Sequence, residues 1–298
     1  MNSKKISITI DDLPFVSPGV TLDEIEEATF QIHSHLEKNK IQAVGFAVGE
    51  YVSWGTQDNR RLDILKSWQN QGHLLGSHTF SHISLGKVSL NVFIKDILKN
   101  ESVLSPFWDT ASYKERFFRL PYLQWGSIEK FNGLKKFLSC LSYTLAPVTV
   151  NSFDFIFNTV YVHAQKHKKV AVMESIVSAY ISYIKQLIGH HERSILAKIG
   201  RPINHILLLH SNLINAHCLD KVAEILAESG YCFSSLRETL DDPYYRDFNK
   251  WSKGDRLHFN QWWEKKGIHN EIEPLPTIDQ EIIKAYMALT AKHFKQRY

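Results

Sequence analysis

An α/β fold of parallel strands and crossover helices, built as a β/α barrel, is what this sequence predicts. Two observations predict it. Short apolar segments of strand length alternate with amphipathic segments of helical period along most of the chain. Residues able to do chemistry fall repeatedly just after a strand segment, as they do at the C-terminal rim of a β/α barrel.

The elements follow in order. Ile6 to Ile10 alternates apolar and polar and then stops at Asp11-Asp12, a short strand delivering carboxylates at its end. Thr21-Leu22-Asp23-Glu24 is a capping box opening a helix with Ile25, Ala28, Ile32 and Leu36 on one face. Ala43 to Val48 is a continuous apolar run, expected as a buried strand. Arg61 to Asn70 reads as a helix closed by Gly72, and His73 to Gly76 as the next strand. Ser89 caps a helix carrying Phe93, Ile94, Ile97 and Leu98. Strands are expected at Arg116–Arg119, Leu145–Val150, Ile206–Leu209 and Tyr231–Ser234, with a helix over Leu219–Ser229 stopped by Gly230.

Two regions break this rhythm. Lys168 to His191 holds Met173, Ile176, Val177, Tyr180, Ile181, Ile184, Leu187 and Ile188 at helical spacing. It predicts a long amphipathic helix inserted between two barrel strands, with core packing as its first role and a partner surface as the alternative. From Asp241 onward, Tyr244, Tyr245, Trp251, Trp262 and Trp263 precede a final helix, Ile278 to Lys295. The expected organisation is a barrel domain over 1–240, with a helical insertion at about 160–200, and a C-terminal extension over 241–298 packed on it.

Composition narrows the function. The chain has 298 residues, 44% hydrophobic and 22% charged, which is ample for a core. Its net charge of +4 comes without a dense basic stripe, so nucleic acid is not the expected partner. No apolar run approaches the ~18 residues of a membrane span. Met1-Asn2-Ser3-Lys4-Lys5 leads straight into the first strand with no visible signal peptide. The expectation is a cytoplasmic protein, or an exported one whose leader has been removed. Cys140, Cys218 and Cys232 lack metal-type spacing and read as small buried thiols.

Four short motifs carry the chemistry: Thr9-Ile10-Asp11-Asp12, His78-Thr79-Phe80-Ser81-His82, Arg119-Leu120-Pro121-Tyr122 and Leu208-Leu209-His210. Adjacent aspartates at a strand end cannot point the same way, so one can hold a metal while the other faces the reaction. His78 and His82 are four apart and can share a metal from one side of a helical turn. With fifteen histidines that spacing also arises by chance, and His163/His167 repeats it among lysines, as a solvated helix face. One Asp with two His leaves coordination positions open, as a catalytic metal site needs.

The order and context of these motifs resemble the polysaccharide deacetylases, carbohydrate esterase family 4. The similarity runs from about Ile6 to Leu240 and includes Val44-Gly45-Phe46-Ala47-Val48-Gly49, Gly72-His73-Leu74-Leu75-Gly76-Ser77-His78 and Phe117-Phe118-Arg119. The resemblance implies a distorted β/α barrel with fewer than eight regular strands. It implies removal of acetyl groups from N-acetylated sugars with one divalent metal ion, zinc, and a carbohydrate as the partner. By resemblance, Asp12, His78 and His82 are the ligands and Asp11 is the base, held ionised by Arg119. The Tyr122 backbone N–H is the oxyanion donor. Asp154 orients His210, the acid that protonates the leaving amine. Leu208 and Phe155 line the pocket for the acetyl methyl group.

The chain departs from the family pattern in places. Leu13 and Leu123 stand where glycines are common, Asn151 where an aspartate is usual, and Phe155 where tryptophan is usual; Ser211-Asn212 follows His210 where Asp is common. No ligand or proton carrier is lost, but the substrate is left open. Two other readings are carried. One is a hydrolase of another small amide, such as a formamide or cyclic ureide. The other is a carbohydrate-binding pseudoenzyme using aromatics such as Trp262 and Trp263 for stacking.

Overall fold

The structure is a computed structural model, and it describes residues 4–17, 19–53, 59–108, 115–246 and 274–295. The chain opens on β1 (Lys4–Leu13), in which every residue from Ile6 to Leu13 is buried. The predicted alternation is real, but its polar half does not face solvent. Ser7, Thr9 and Asp11 share one face; Thr9 Oγ1 donates to the Leu207 carbonyl at 2.7 Å and receives Arg119 Nη2 at 3.1 Å. Polar side chains therefore line the inside of the curled sheet, a setting that an alternation of this kind does not distinguish from a wet surface.

Helix α1 (Leu22–Lys38) starts on the expected capping box. Thr21 Oγ1 accepts the Glu24 N–H at 3.3 Å and Glu24 Oε2 accepts the Thr21 N–H at 2.7 Å, while Ile25, Ala28, Ile32 and Leu36 are buried. Then follow β2 (Val44–Ala47), α2 (Gly49–Ser53), α3 (Arg60–Asn70), β3 (Leu74–Ser77), α4 (Leu90–Trp108) and β4 (Phe117–Phe118). A 3₁₀ turn at Pro121–Leu123 precedes α5 (Ile128–Cys140), β5 (Thr144–Leu145) and β6 (Val150–Asn151). The later elements are α6 (Asp154–Lys166), α7 (Val170–Ile199), β7 (His205–His210), α8 (Leu213–Glu228), β8 (Tyr231–Phe233), α9 (Leu236–Leu240), α10 (Pro243–Arg246) and α11 (Gln280–Lys295).

Every ladder is parallel, in the order β5-β4-β3-β2-β1-β7-β6, with β8 pairing the Lys4–Ile6 stretch of β1. The result is a curled, incompletely closed β/α barrel, as predicted. One expectation is corrected. Leu145–Val150 is not a single strand: Thr144–Leu145 pairs β4 and Val150–Asn151 pairs β7, at the two ends of the sheet. Pro147 lies between them and has no N–H to give a ladder. A few residues of coil thus bridge the two edges of the sheet.

The inserted helix α7 is longer than expected, 30 residues, and ends at Gly200 in the left-handed conformation (φ 74°). Its Ile176, Tyr180, Tyr183, Ile184, Leu187 and Ile188 are buried in the main core cluster, which agrees with the packing role read from its sequence. Helix α8 begins six residues earlier than expected, because Asn212 caps it by accepting the Asn215 N–H at 3.1 Å. The thiol expectation is corrected in part: all three cysteines are free, but only Cys218 is buried, with Cys140 and Cys232 exposed. Helix α11 packs on α6 and buries Ile282 in the main core. Tyr245 is buried and donates to the Asn204 carbonyl at 2.7 Å. Trp251, Trp262 and Trp263 lie outside the described residues. No helix among the described residues is long and apolar enough to cross a membrane.

The sheet leaves no room at Gly76, one position before the strand end that leads to His78. A β-carbon there would lie 2.5 Å from the Phe46 ring and 3.0 Å from the Phe117 carbonyl oxygen of the next strand. Gly76→Ala should cost about 1–3 kcal/mol by overpacking, read as a lower midpoint in chemical denaturation. An unchanged midpoint would contradict this packing.

Candidate active site

The strand order decides which motifs meet. β1 lies between β2 and β7, and Asp11 is the register partner of His210 on β7. His78 directly follows β3 and Arg119 directly follows β4. All of these ends point the same way because the sheet is parallel. The backbone then turns sharply at three of the four motifs and before α6. Asp12 (φ 66°), Thr79 (64°), His82 (49°), Tyr122 (57°), Leu123 (54°) and Phe153 (52°) all adopt left-handed conformations without being glycine. Each costs about 1–2 kcal/mol relative to ordinary backbone, so surrounding contacts must hold them. Leu123 keeps this conformation at a position where the family resemblance places glycine.

The loop carrying the two histidines is held from α4. Asp96 Oδ2 accepts the N–H groups of Phe80 and Ser81, both at 2.9 Å. Asn100 Nδ2 donates to the Ala47 carbonyl at 3.1 Å and to Ser77 Oγ at 2.9 Å, tying β2 and β3 together beneath the loop. Neither residue carried a signal of its own in the sequence.

Asp12, His78 and His82 come together as the spacing and the resemblance predict, with one potential ligand atom of each within 4.8 Å of the others. Asp12 Oδ1 lies 3.7 Å from His78 Nε2 and 3.3 Å from His82 Nε2. It is buried and has no hydrogen-bond donor. A buried carboxylate oxygen without a donor is costly, and a cation between it and the two imidazoles would remove that cost. Burial, reinforced by His82, holds the His78 pKa well below its ordinary value, so the imidazole is neutral as a ligand must be. The Arg119 carbonyl accepts from His78 Nδ1 at 2.8 Å, which leaves Nε2 to face the cation position. The donor set of one carboxylate and two imidazoles fits a divalent transition metal such as zinc.

Asp11 Oδ2 is 3.6 Å from His78 Nε2, beside this triad. Arg119 is fully buried and reaches Asp11 Oδ1 at 3.2 Å, with its Nε donating to the Ala146 carbonyl at 2.9 Å. The predicted pair therefore forms, anchored by the coil that bridges the two sheet edges. The expected consequence is only partly met. Burial pushes the Asp11 carboxyl up to about 6 despite the pull of Arg119 and His210. A divalent cation held by Asp12 would pull it back down.

His210 and Asp154 form a tight pair, Nδ1 to Oδ1 at 2.6 Å. Burial works against the imidazolium, but the charge and hydrogen bond of Asp154, with Asp12 and Asp11 beyond, outweigh it and push His210 up to about 10. The second oxygen of Asp154 is anchored three times. It accepts the His210 backbone N–H at 2.7 Å, Asn212 Nδ2 at 3.0 Å and Asn215 Nδ2. Asn215 had not been singled out in the sequence. Asn212 had been noted only as a departure; here it takes part in holding Asp154. Asn151 serves the turn, accepting the Phe153 N–H at 3.1 Å.

The remaining predicted residues are close by. The Tyr122 ring lies 4.5 Å from that of His82, and its N–H takes no partner among the described residues. Phe155 is half-buried with its ring 5.9 Å from His210 and 6.2 Å from Tyr286 of α11. Leu208 is buried on the same face of β7 as His210. The decoy pair is exposed as expected, with His163 on α6 and His167 at its C-cap, and Asp12, His78 and His82 form the single group of three potential metal ligands among the described residues.

The family model described as polysaccharide deacetylase matches residues 1–130. A peptidoglycan-N-acetylglucosamine deacetylase of Bacillus cereus is 28% identical over 137 residues, 44% of this chain and 43% of that protein. The chain spans less than half the length of the curated relatives it matches. Among solved structures, the chitin deacetylase of Colletotrichum lindemuthianum superposes with a TM-score of 0.55 at 21% identity, over 81% of this chain and 90% of that one. A family 4 carbohydrate esterase pseudoenzyme from Bacillus anthracis gives a TM-score of 0.52 at 19% identity, over 80% of this chain and 66% of that one. Residues 1–130 thus match the polysaccharide deacetylase family model, and the barrel as a whole is shared with solved carbohydrate esterase and chitin deacetylase structures.

Proposed function

We propose that this chain is a metal-dependent hydrolase that removes the acetyl group from an N-acetylated sugar or polysaccharide. The observation that carries the reading is the register pairing of a carboxylate, Asp11, with His210, whose imidazole is held by Asp154, beside the Asp12-His78-His82 triad. Amide hydrolysis needs an activated water, stabilisation of an oxyanion and a proton for a poor leaving group, and each need has a candidate. When bound at the triad, a divalent ion supplies Lewis acidity toward the amide carbonyl and lowers the pKa of water.

The chain's own groups do the rest. Asp11, oriented by Arg119, takes a proton from the attacking water. The Tyr122 N–H donates to the oxygen that becomes negative. Asp154 Oδ1 takes the Nδ1–H of His210, so that Nε2 holds the proton passed to the departing amine. Leu208 and Phe155 wall the space for the methyl group. The barrel domain is taken as 1–240, with the insertion at about 160–200, and 241–298 as an extension seated on it, which the packing of α11 against α6 supports. The relatives are named for peptidoglycan N-acetylglucosamine and for chitin, which makes N-acetylglucosamine saccharides the first substrates to try. Against a pseudoenzyme stands the presence of base, acid and triad together. Incubating the zinc-loaded protein with acetylated and formylated sugars tests the reading: acetate release from an N-acetylglucosamine oligomer is expected, and formate release alone would favour the small-amide alternative.

Three further outcomes are expected. Protein with His78→Ala and His82→Ala should lose its bound metal by elemental analysis, and full occupancy there would remove the ligand assignment. Asp11→Asn should lower kcat by ~10²–10⁴ while keeping the metal; if it loses metal and Asp12→Asn does not, the two aspartates have each other's role. The pH–rate profile should fall on the acid side as Asp11 protonates and on the alkaline side as His210, raised to about 10, loses its proton. Asp154→Asn removes the charge that raises His210, so the alkaline limb should move to lower pH. A limb that stays in place would show that another group supplies the proton.

A further inference from the structure

The long inserted helix reaches the proposed acid through a line of buried hydrogen bonds. Tyr180, on α7, is fully buried and donates its hydroxyl proton to Asn215 Oδ1 at 3.0 Å. Asn215 then turns its amide nitrogen to two acceptors, Asp154 Oδ2 and the His210 carbonyl, the latter at 2.9 Å. A side-chain amide has one acceptor end and one donor end. Because the oxygen end is engaged by the phenol, the donor end is fixed toward Asp154. On the other side of the carboxylate, Ser152 Oγ accepts the Asp154 N–H at 3.3 Å. Tyr180 therefore holds, through Asn215 of α8, one of the supports of Asp154.

We propose that Tyr180 is a positioning residue for the His210–Asp154 pair, which makes the inserted helix part of the catalytic apparatus as well as of the core. The physical argument is one of division of labour within a carboxylate. Oδ2 of Asp154 is held by three donors, which sets the plane of the group and leaves Oδ1 aimed at His210 Nδ1. Without the phenol, Asn215 Oδ1 becomes a buried acceptor lacking its donor, a state that costs free energy. The amide then relaxes by rotating or drawing in water, and Oδ2 loses one of its three anchors. The carboxylate turns and the Nδ1–H to Oδ1 bond lengthens. The assignment rests on reading His210 as the acid, but its test need not.

The test is the proton NMR signal of His210 Nδ1–H, identified by its loss in Asp154→Asn and read without substrate. A bond of 2.6 Å between imidazole and carboxylate should give a far-downfield, slowly exchanging proton in the wild type. Tyr180→Phe should move that signal upfield and speed its exchange with solvent. In the same variant kcat should fall by about 10–100-fold, the range for removing an outer partner of a site residue, with KM unchanged. Asn215→Ala should shift the signal the same way, and adding Tyr180→Phe to it should change nothing further. Phe157→Leu loosens packing on the same tyrosine, whose ring is 5.2 Å away, without touching the hydroxyl. It should lower the melting temperature and leave the signal in place. An unchanged signal in Tyr180→Phe or in Asn215→Ala, or an equal shift in Phe157→Leu, would overturn the proposal. A wild type that shows this coupling but releases no acetate would support Tyr180's role and refute the deacetylase reading, so the two fail separately.

Discussion

Three buried carboxylates in one small region, Asp11, Asp12 and Asp154, set the terms for the rest of this structure. A charge removed from water is tolerated only with partners close enough to replace its hydration. Asp154 has its replacement in full, from three residues and four donors. Asp11 has Arg119, itself buried and anchored, yet burial still wins enough to raise its pKa to about 6. Asp12 is the one left incomplete, with an oxygen facing two imidazole nitrogens and no donor. The gradient from satisfied to unsatisfied divides their tasks. In the proposed reaction the fully held carboxylate orients an imidazole, the partly held one takes a proton, and the open one would hold a cation.

The fold exists to make that arrangement affordable in strain and burial. Parallel strands bring their C-terminal ends to one side, so a register pairing between β1 and β7 suffices to bring Asp11 next to His210. At and beyond the strand ends, six left-handed non-glycine residues aim the side chains, and the helices behind them supply the restraint. Asp96 and Asn100 of α4 pin the histidine loop, Asn212 and Asn215 at the start of α8 pin Asp154, and Tyr180 of α7 pins Asn215. The polar inner face of β1 fits the same picture: Thr9 links Arg119 to the β7 backbone.

What was legible in the chain was local or came through the motifs. The capping box at Thr21, the helical stripe of α7 and the apolar runs of β2 and β7 each write their structure into a dozen residues or fewer at a time. The Asp12-His78-His82 triad and the Asp154–His210 pair were legible only because a known motif order joins residues far apart. Physical reading of the spacing alone would not have separated His78/His82 from His163/His167. The supporting groups were not legible. Asn215 and Tyr180 are 35 positions apart and belong to two helices whose periodicity marks them simply as buried. Asp96 looks like any acid on a helix until the Phe80 and Ser81 N–H groups are seen above it. The split of residues 144–151 between two sheet edges was missed because an apolar run looks the same whether it pairs on one neighbour or two, although Pro147 was the available warning.

The account depends most directly on the incompleteness of Asp12. Anomalous X-ray diffraction from crystals grown with zinc, recorded on both sides of the zinc absorption edge, addresses it without reference to any substrate. The account predicts one strong buried peak at ligating distance from Asp12 Oδ1, His78 Nε2 and His82 Nε2, with Asp11 and His210 beside it and outside the coordination sphere. A peak coordinated by Asp11 in place of Asp12, or zinc found only on exposed histidines such as His163 and His167, would contradict it.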